Sequence, residues 1–195
     1  MEKEILVNQG VMESKIHGLI LTGGYSKRMG QDKALISDGN QTALEKIYDL
    51  LRHSLQEVFV SVRADQKEEE KRAEFNLIVD QNRYSGPMAG ILSAFNSYPD
   101  IAWLIVACDM PYLDKETIDQ LIQNRNKEKV ATLFISPKDG LPEPLCSIYE
   151  PLFFETVSND NRLIENNSPR DTLMQMDTLL IKPKNPKSLI NTNYS

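Results

Sequence analysis

Short apolar runs alternate with helical patterns along most of this chain. The clearest runs cover residues 16–21, 58–62 and 103–107, and turn-forming or charged residues follow each of them. Continuous apolar runs are typical of strands buried on both faces, and strands that alternate with helices form parallel sheets. The pattern predicts an α/β fold with a single domain, a Rossmann-like three-layer sandwich around a mostly parallel central sheet.

Segments with helical patterns lie between these predicted strands. Residues 42–55 carry apolar side chains at helical intervals, behind a T-x-x-E capping box formed by Thr42 and Glu45. Pro87 suits the first turn of a second helix, and Asp114 is a candidate N-cap for a third. These signals predict where three helices begin.

The remaining elements have weaker signals. Strands are expected at 77–79, 130–135, 145–149 and 179–181, a solvated helix at 65–74, helices near 151–157 and 169–176, and a turn-rich connection with three prolines at 136–144. Residues 1–15 are polar and are expected to form an irregular leader before one domain at 16–195. No low-complexity linker divides the sequence.

Composition and charge exclude several classes of protein. The chain of 195 residues has 22 Lys+Arg and 28 Asp+Glu, a net charge of −6 that argues against a general nucleic-acid binder. Two cysteines outside any C-x-x-C pair indicate neither a disulfide framework nor a thiolate zinc site. The longest apolar run, 101–108, is far shorter than the roughly 20 residues that span a bilayer. We therefore expect no membrane partner and a cytoplasmic location.

The first candidate site is the segment that follows the first strand, L-T-G-G-Y-S-K-R-M-G-Q-D-K at 21–33. Gly23 and Gly24 allow successive backbone N–H groups to converge on an anion, and Ser26 adds a hydroxyl. Its cations are Lys27, Arg28 and Lys33, against one acidic residue, so the segment is positive within an acidic chain. It matches neither a P-loop nor a G-x-G-x-x-G dinucleotide motif. Phosphate binding is one interpretation, and an ordinary turn with solvent-facing cations is the other.

Two further candidates also follow predicted strands. Asp109 lies in A-C-D-M-P, where a carboxylate at a strand end either binds a hard divalent cation or caps the next turn. Asp80 ends another strand, and S-G-P-M-A-G at 85–90 then leads through Gly86 into a helix N-terminus. Ligands of parallel sheets bind beyond the carboxyl ends of the strands. All three candidates are expected at that edge.

Together these blocks resemble the molybdenum cofactor guanylyltransferases, a family with a nucleotidyltransferase fold. The resemblance is carried by residues 21–35, by S-G-P-M-A-G-I at 85–91 and by A-C-D-M-P-Y-L at 107–113, in that order. P-L-C-S-I-Y at 144–149 and S-P-R-D-T-L at 168–173 resemble two looser blocks of the family.

The resemblance implies a role for each matching residue. Leu21, Thr22 and Gly23 would contact the base and sugar of a nucleotide, and Gly24, Ser26, Arg28 and Lys33 would lie at its phosphates. Asp80 and Gly86 would line the same site, and Asp109 would hold a magnesium ion. Arg28, Lys33 and Asp109 would serve catalysis. The implied reaction transfers GMP from GTP to the phosphate of the molybdopterin cofactor and releases pyrophosphate.

The resemblance leaves some alternatives open. A relative that uses CTP or another phosphorylated acceptor would share these blocks, and so would a nucleotide-binding protein that has lost catalysis. Transient contact with cofactor-biosynthesis or acceptor proteins is also expected. Two positions depart from the family: Arg63 follows the second strand where some members have asparagine, and residues 189–195 alter a C-terminal block in which Asn191 is retained.

Overall fold

The computed structural model describes residues 15–22, 33–35, 41–81 and 83–191. The strands within these residues are β1 (Ile16–Leu21), β2 (Val58–Val62), β3 (Asn76–Val79), β4 (Ala102–Ala107), β5 (Ala131–Ile135), β6 (Pro142–Tyr149) and β7 (Thr178–Ile181). The helices are α1 (Ala43–Arg52), α2 (Pro87–Ser97), α3 (Lys115–Gln123), α4 (Pro151–Asn159) and α5 (Pro169–Leu173). Short 3₁₀ turns lie at Lys33–Leu35, Ala64–Gln66, Glu70–Arg72, Asn161–Ile164 and Pro186–Leu189.

The seven strands form one sheet in the order β3-β2-β1-β4-β6-β5-β7. Every pairing is parallel except those of β6, which runs antiparallel to both β4 and β5. This confirms the predicted mostly parallel sheet. The chain proceeds outward from β1 to β3 and then returns to β4 on the other side of β1, so the strand order reverses between β1 and β4.

Two apolar layers cover the sheet, one on each face. Leu44 and Leu51 of α1 pack with Ile118 of α3 on one face. The other face carries Phe95 of α2 and Phe153 of α4, together with side chains of α5. The three-layer sandwich is therefore confirmed, and each layer is formed by the apolar side of its helices.

The helix starts agree with the sequence signals. Glu45 Oε2 accepts a hydrogen bond from Thr42 N at 2.5 Å, and Glu45 N donates to Thr42 Oγ1 at 3.1 Å, so both halves of the capping box are formed. Asp114 caps α3 by accepting from the backbone N–H of Thr117 at 2.8 Å. The predicted helix at 42–55 ends earlier, at Arg52, although Leu55 is still buried.

Two stretches differ from the expectation. The charged segment 65–74 is not a solvated α-helix: it forms two 3₁₀ turns, and the side chain of Arg72 is completely buried. The connection predicted at 136–144 is shorter, because β6 already begins at Pro142. A register shift between Leu133 and Phe134 accommodates this proline-containing end of β6 as a bulge.

The other predicted strands and helices are present with shifted ends, the largest shift being in the helix expected at 169–176, which stops at Leu173. None of the helices among the described residues combines the length and apolar character that a membrane span requires.

Candidate active site

The carboxyl ends of the parallel strands bring the predicted residues to one edge of the sheet. Leu21 pairs with Ser61 of β2 on one side and with Ala107 of β4 on the other. The backbone N–H of Cys108 also donates to the carbonyl of Leu21 at 3.2 Å. Thr22 and Asp109 therefore leave adjacent strands at the point where the strand order reverses, which is where ligands of open α/β sheets bind.

Thr22 is buried, and its hydroxyl group both donates and accepts a hydrogen bond. It donates to the carbonyl of Ser61 at 2.7 Å and accepts from Nη1 of Arg72 at 2.9 Å. These bonds fix the backbone at the exit of β1, immediately before Gly23. The sequence did not point to Arg72, because it lies in a run of charges that is typical of solvent-exposed segments.

Asp80 is half-buried at the end of β3, where its backbone N–H donates to the carbonyl of Val62 at 2.8 Å. Its Oδ1 accepts a hydrogen bond from the hydroxyl of Ser61 at 2.5 Å. Burial raises the pKa of Asp80, although this hydrogen bond and the charge of Arg63 both oppose the rise. A partly desolvated carboxylate thus lies two strands away from Thr22, and Ser61 contacts both residues.

Helix α2 begins beside these strand ends. Its N-cap, Gly86, has φ of 61° and ψ of −152°, a conformation that residues with a Cβ rarely adopt. A methyl group on Gly90 would come within 2.7 Å of Leu21 Cδ2 and would also clash with the hydroxyl of Ser61. Glycine at position 90 lets α2 pack closely on the ends of β1 and β2. The helix begins near the same edge because it follows the end of β3, which is parallel to β2.

A second carboxylate lies near Asp109. The ladder between β4 and β6 pairs Val106 with Cys146, and Glu143 lies further along β6 towards the edge where Asp109 follows β4. Burial raises the pKa of Glu143, Arg170 opposes the rise, and the charge of Asp109 adds to it. Arg170 Nη2 lies 3.6 Å from the Glu143 carboxylate.

Neither Glu143 nor Arg170 was assigned a role from the sequence. Both belong to the looser blocks, or border on them, and the signal for Glu143 was its place between two prolines. A carboxylate in a strand is recognisable as part of a site only when the antiparallel direction of β6 is known.

Several predicted residues cannot be placed in this geometry. Gly23, Gly24, Ser26 and Arg28 lie outside the described residues. The backbone of Lys33 begins a 3₁₀ turn, but the structure does not describe the side chain of Lys33. The described part of the chain therefore brings together Leu21, Thr22, Asp80, Gly86 and Asp109.

The donor set at this edge suits magnesium better than a softer metal. Asp109 and Glu143 offer carboxylate oxygens, and the described residues contain no group of three or more histidine, cysteine or acidic side chains that could hold a metal. Mg²⁺ is typically held by one or two carboxylates together with the phosphates of a substrate. The two carboxylates therefore fit a hard divalent cation.

The C-terminal part of the described chain packs on α3. Asn185 donates to Asp114 at 2.8 Å, and Thr117 donates to the hydroxyl of Ser188 at 2.8 Å. Asn191 follows this segment, and its Oδ1 is buried with no hydrogen-bond partner in the described part of the chain.

The two histidines lie away from the candidate site, and one cysteine is buried in the sheet. His17 packs against Phe59 and Trp103 near the start of β1, at the opposite edge, and burial lowers its pKa. His53 follows α1, and its ring bonds to the carbonyl of Asp49. Cys146 is buried within β6. These contacts agree with structural roles.

Comparison with known proteins identifies the family. Residues 18–177 match the MobA-like NTP transferase domain. The chain belongs to this family. A molybdenum cofactor biosynthesis bifunctional protein of Synechocystis is 38% identical over 183 residues, which are 94% of this chain and 52% of that protein. The chain thus spans about half the length of this relative.

The match to another relative covers a larger share of that relative's length. A Bacillus mycoides protein named "probable molybdenum cofactor guanylyltransferase" is 34% identical over 140 residues, covering 70% of this chain and 68% of that protein. The expected family is therefore confirmed, and the chain is a MobA-like nucleotidyltransferase.

Solved structures share the fold. Molybdopterin-guanine dinucleotide biosynthesis protein A of Archaeoglobus fulgidus superposes with a TM-score of 0.71 at 20% identity, covering 91% of this chain and 92% of that one. A nucleotidyl transferase of Methanothermobacter gives a TM-score of 0.72 at 13% identity, with 92% of both chains covered. The MobA-like transferase thus has the α/β sheet architecture of nucleotidyltransferases.

Proposed function

We propose that this MobA-like transferase moves GMP from GTP to the phosphate of the molybdopterin cofactor and releases pyrophosphate in a magnesium-dependent reaction. The names of its relatives support the acceptor and the guanine nucleotide. The proposal includes a cytoplasmic location and transient contact with other proteins of cofactor biosynthesis.

The observation that carries the proposal is the meeting of three separate sequence blocks at one edge. Thr22 comes from the first block, α2 with Gly90 from the second and Asp109 from the third. Leu21 pairs with Ala107 and would be in contact with any side chain added at Gly90. The exit of β1, the start of α2 and a carboxylate that follows β4 meet at a switch point, and this arrangement is suited to a nucleotide with its metal.

The chemistry proposed for this site needs charge neutralisation more than proton transfer. An oxygen of the acceptor phosphate attacks the α-phosphorus of GTP, and the bond from that phosphorus to the bridging oxygen breaks. The electron pair leaves with pyrophosphate. Because the attacking phosphate is already ionised, no general base is required, and catalysis depends on positioning and on electrostatic stabilisation.

The proposed roles follow the residues that match the family. Asp109 holds Mg²⁺, which supplies positive charge at the phosphates when it is bound. Arg28 and Lys33 contact the phosphates, together with Gly24 and Ser26. Leu21, Thr22 and Gly23 contact the base and sugar, and Asp80 and Gly86 line the nucleotide. The buried Oδ1 of Asn191 is a candidate contact for the metal or substrate.

A panel of nucleotides in thermal unfolding experiments tests the nucleotide and the metal together. A ligand at a hundred times its dissociation constant stabilises a protein by about 2.7 kcal/mol. We expect GTP to raise the unfolding temperature, more in Mg²⁺ than in a chelator, and CTP to have little effect. A larger shift with CTP would favour the cytidylyl alternative. Binding of GTP without pyrophosphate release from the cofactor would favour a protein that has lost catalysis.

A further inference from the structure

Arg72 is the one completely buried arginine among the described residues, and it lies outside every block that resembles the family. It belongs to the segment between β2 and β3. Its Nε donates to Glu69 Oε2 at 2.7 Å, and its Nη1 donates to the hydroxyl of Thr22 at 2.9 Å. Two arms of a single guanidinium group therefore link this segment to the exit of β1.

Burial of a guanidinium group is expensive, because arginine stays charged and loses its hydration. The carboxylate of Glu69, which is 37% exposed, accepts a hydrogen bond from this guanidinium group. Apolar side chains of similar volume often stabilise a protein at least as well as a buried ion pair does. Stability alone is therefore a weak reason for an arginine at this position.

The bond to Thr22 gives Arg72 a more specific effect. The Thr22 hydroxyl is held from two directions, since it accepts from Arg72 and donates to the carbonyl of Ser61 at 2.7 Å. A hydroxyl that both donates and accepts a hydrogen bond is held in one rotamer. Thr22 is the last described residue before Gly23 and Gly24. These two bonds hold the side chain of Thr22 in one orientation at the exit of β1.

We propose that Arg72 is a positioning residue of the nucleotide site, and that it acts by holding Thr22 rather than by touching the nucleotide. This inference rests on the proposed function, because it assumes that Thr22 contacts a nucleotide. Loss of the guanidinium group leaves the Thr22 hydroxyl with only the bond that it donates to Ser61, and lowers the fraction of molecules in which Thr22 has the orientation that binds. Nucleotide affinity falls by that fraction.

A double-mutant cycle between Arg72 and Thr22 tests this role. The dissociation constant for GTP in Mg²⁺ is measured by calorimetry for Arg72→Met, Thr22→Val and the double variant. We expect each single variant to bind GTP about tenfold more weakly, and the double variant no more weakly than Thr22→Val alone. Thr22→Ser keeps the hydroxyl and should bind nearly as the wild type does.

Arg125 provides the matched control. Its side chain is 8% exposed, and its Nε donates to Glu150 at 2.6 Å. Glu150 follows the end of β6, which is antiparallel to β4, so this ion pair lies at the opposite edge of the sheet. Arg125→Met should lower the unfolding temperature and leave the affinity for GTP within twofold of wild type.

The outcomes separate this inference from the proposed function. Wild-type affinity in Arg72→Met, or effects that add in the double variant, would overturn the positioning role. A wild type that binds no nucleotide would overturn the proposed function as well. If Arg72→Met does not fold, Arg72→Lys replaces it in both Thr22 backgrounds, since lysine keeps the charge but lacks the two-armed fork. Equal affinities for Arg72→Lys and wild type would then contradict the role.

Discussion

The hydroxyl of Ser61 donates a 2.5 Å hydrogen bond to the carboxylate of Asp80, and the carbonyl of Ser61 accepts one from Thr22 at 2.7 Å. A single residue at the end of β2 thus contacts both neighbouring strand ends. The polar side chains of this edge form a connected network that reaches from Asp80 through Thr22 to Arg72.

Replacement of Asp80 by asparagine should stabilise the protein. Burial raises the pKa of Asp80, so the folded chain holds this proton more tightly than the unfolded chain does. Ionisation of Asp80 therefore costs stability, a cost that is absent in acid and fully present above the raised pKa. We expect Asp80→Asn to unfold at a higher temperature than wild type at pH 7.5, with a difference that shrinks towards pH 4.

Asp65→Asn is the control, because the pKa of Asp65 is shifted in the opposite direction to that of Asp80. Asp65 is exposed, and the hydrogen bond from Arg63 lowers its pKa, so its replacement should bring no gain at pH 7.5. Asp80→Asn should also weaken GTP binding, because it removes a carboxylate from the proposed nucleotide site. Lower stability of Asp80→Asn at neutral pH would contradict the account of Asp80.

Removal of the Asp109 carboxylate should abolish most of the activity while the fold is retained. We expect pyrophosphate release by Asp109→Asn to fall by about 10²–10³-fold, as is typical when a group that stabilises transition-state charge is lost. Asp100→Asn, before the start of β4, is the control and should keep full activity. Near-normal turnover by Asp109→Asn would show that the metal site is elsewhere.

Glycine at position 86 should matter for binding as well as for stability. Gly86 and Gly140 both have positive φ, of 61° and 74°, and neither has a neighbour within 4 Å of an added methyl group. Alanine at either position should cost about 1–3 kcal/mol of unfolding free energy from backbone strain. Urea denaturation measures this cost, and only Gly86→Ala should also weaken GTP binding. Equal affinities for the two variants would argue against a role for the start of α2.

Lys33 should contribute to binding through its charge. Lys33→Ala is expected to raise the KM for GTP about tenfold or more, because a cation is lost from the positive segment that precedes α1. The effect should weaken at high salt if the contact is partly exposed to solvent. Lys129→Ala is the control. Lys129 lies just before the start of β5, and its replacement breaks an ion pair with Asp177 but should leave the KM for GTP unchanged.

Much of the fold was accessible from the sequence, because apolar runs and capping residues act locally. The capping box of Thr42 and Glu45 and the N-cap of Asp114 fix helix starts through contacts within one turn. The position and direction of β6 were not accessible, since they depend on pairing with β4 and β5. The bulge that lets Pro144 lie within a strand is likewise a property of the pairing.

The same distinction explains which residues of the candidate site the sequence indicated. Asp80 and Asp109 follow apolar runs, and the sheet then carries them to one edge. Arg72 and Glu143 are polar residues whose burial depends on segments far away in sequence, and local composition places Arg72 in solvent. Burial of a charge is decided by the assembled fold rather than by neighbouring residues.

The most direct test of the central claim is the release of pyrophosphate by the purified chain. The reaction contains molybdopterin cofactor, Mg²⁺ and either GTP or CTP, and the guanylylated product is measured in parallel. We predict stoichiometric pyrophosphate and GMP adduct with GTP, little product with CTP, and none in a chelator. No pyrophosphate from GTP with an intact cofactor and a folded protein would contradict the account.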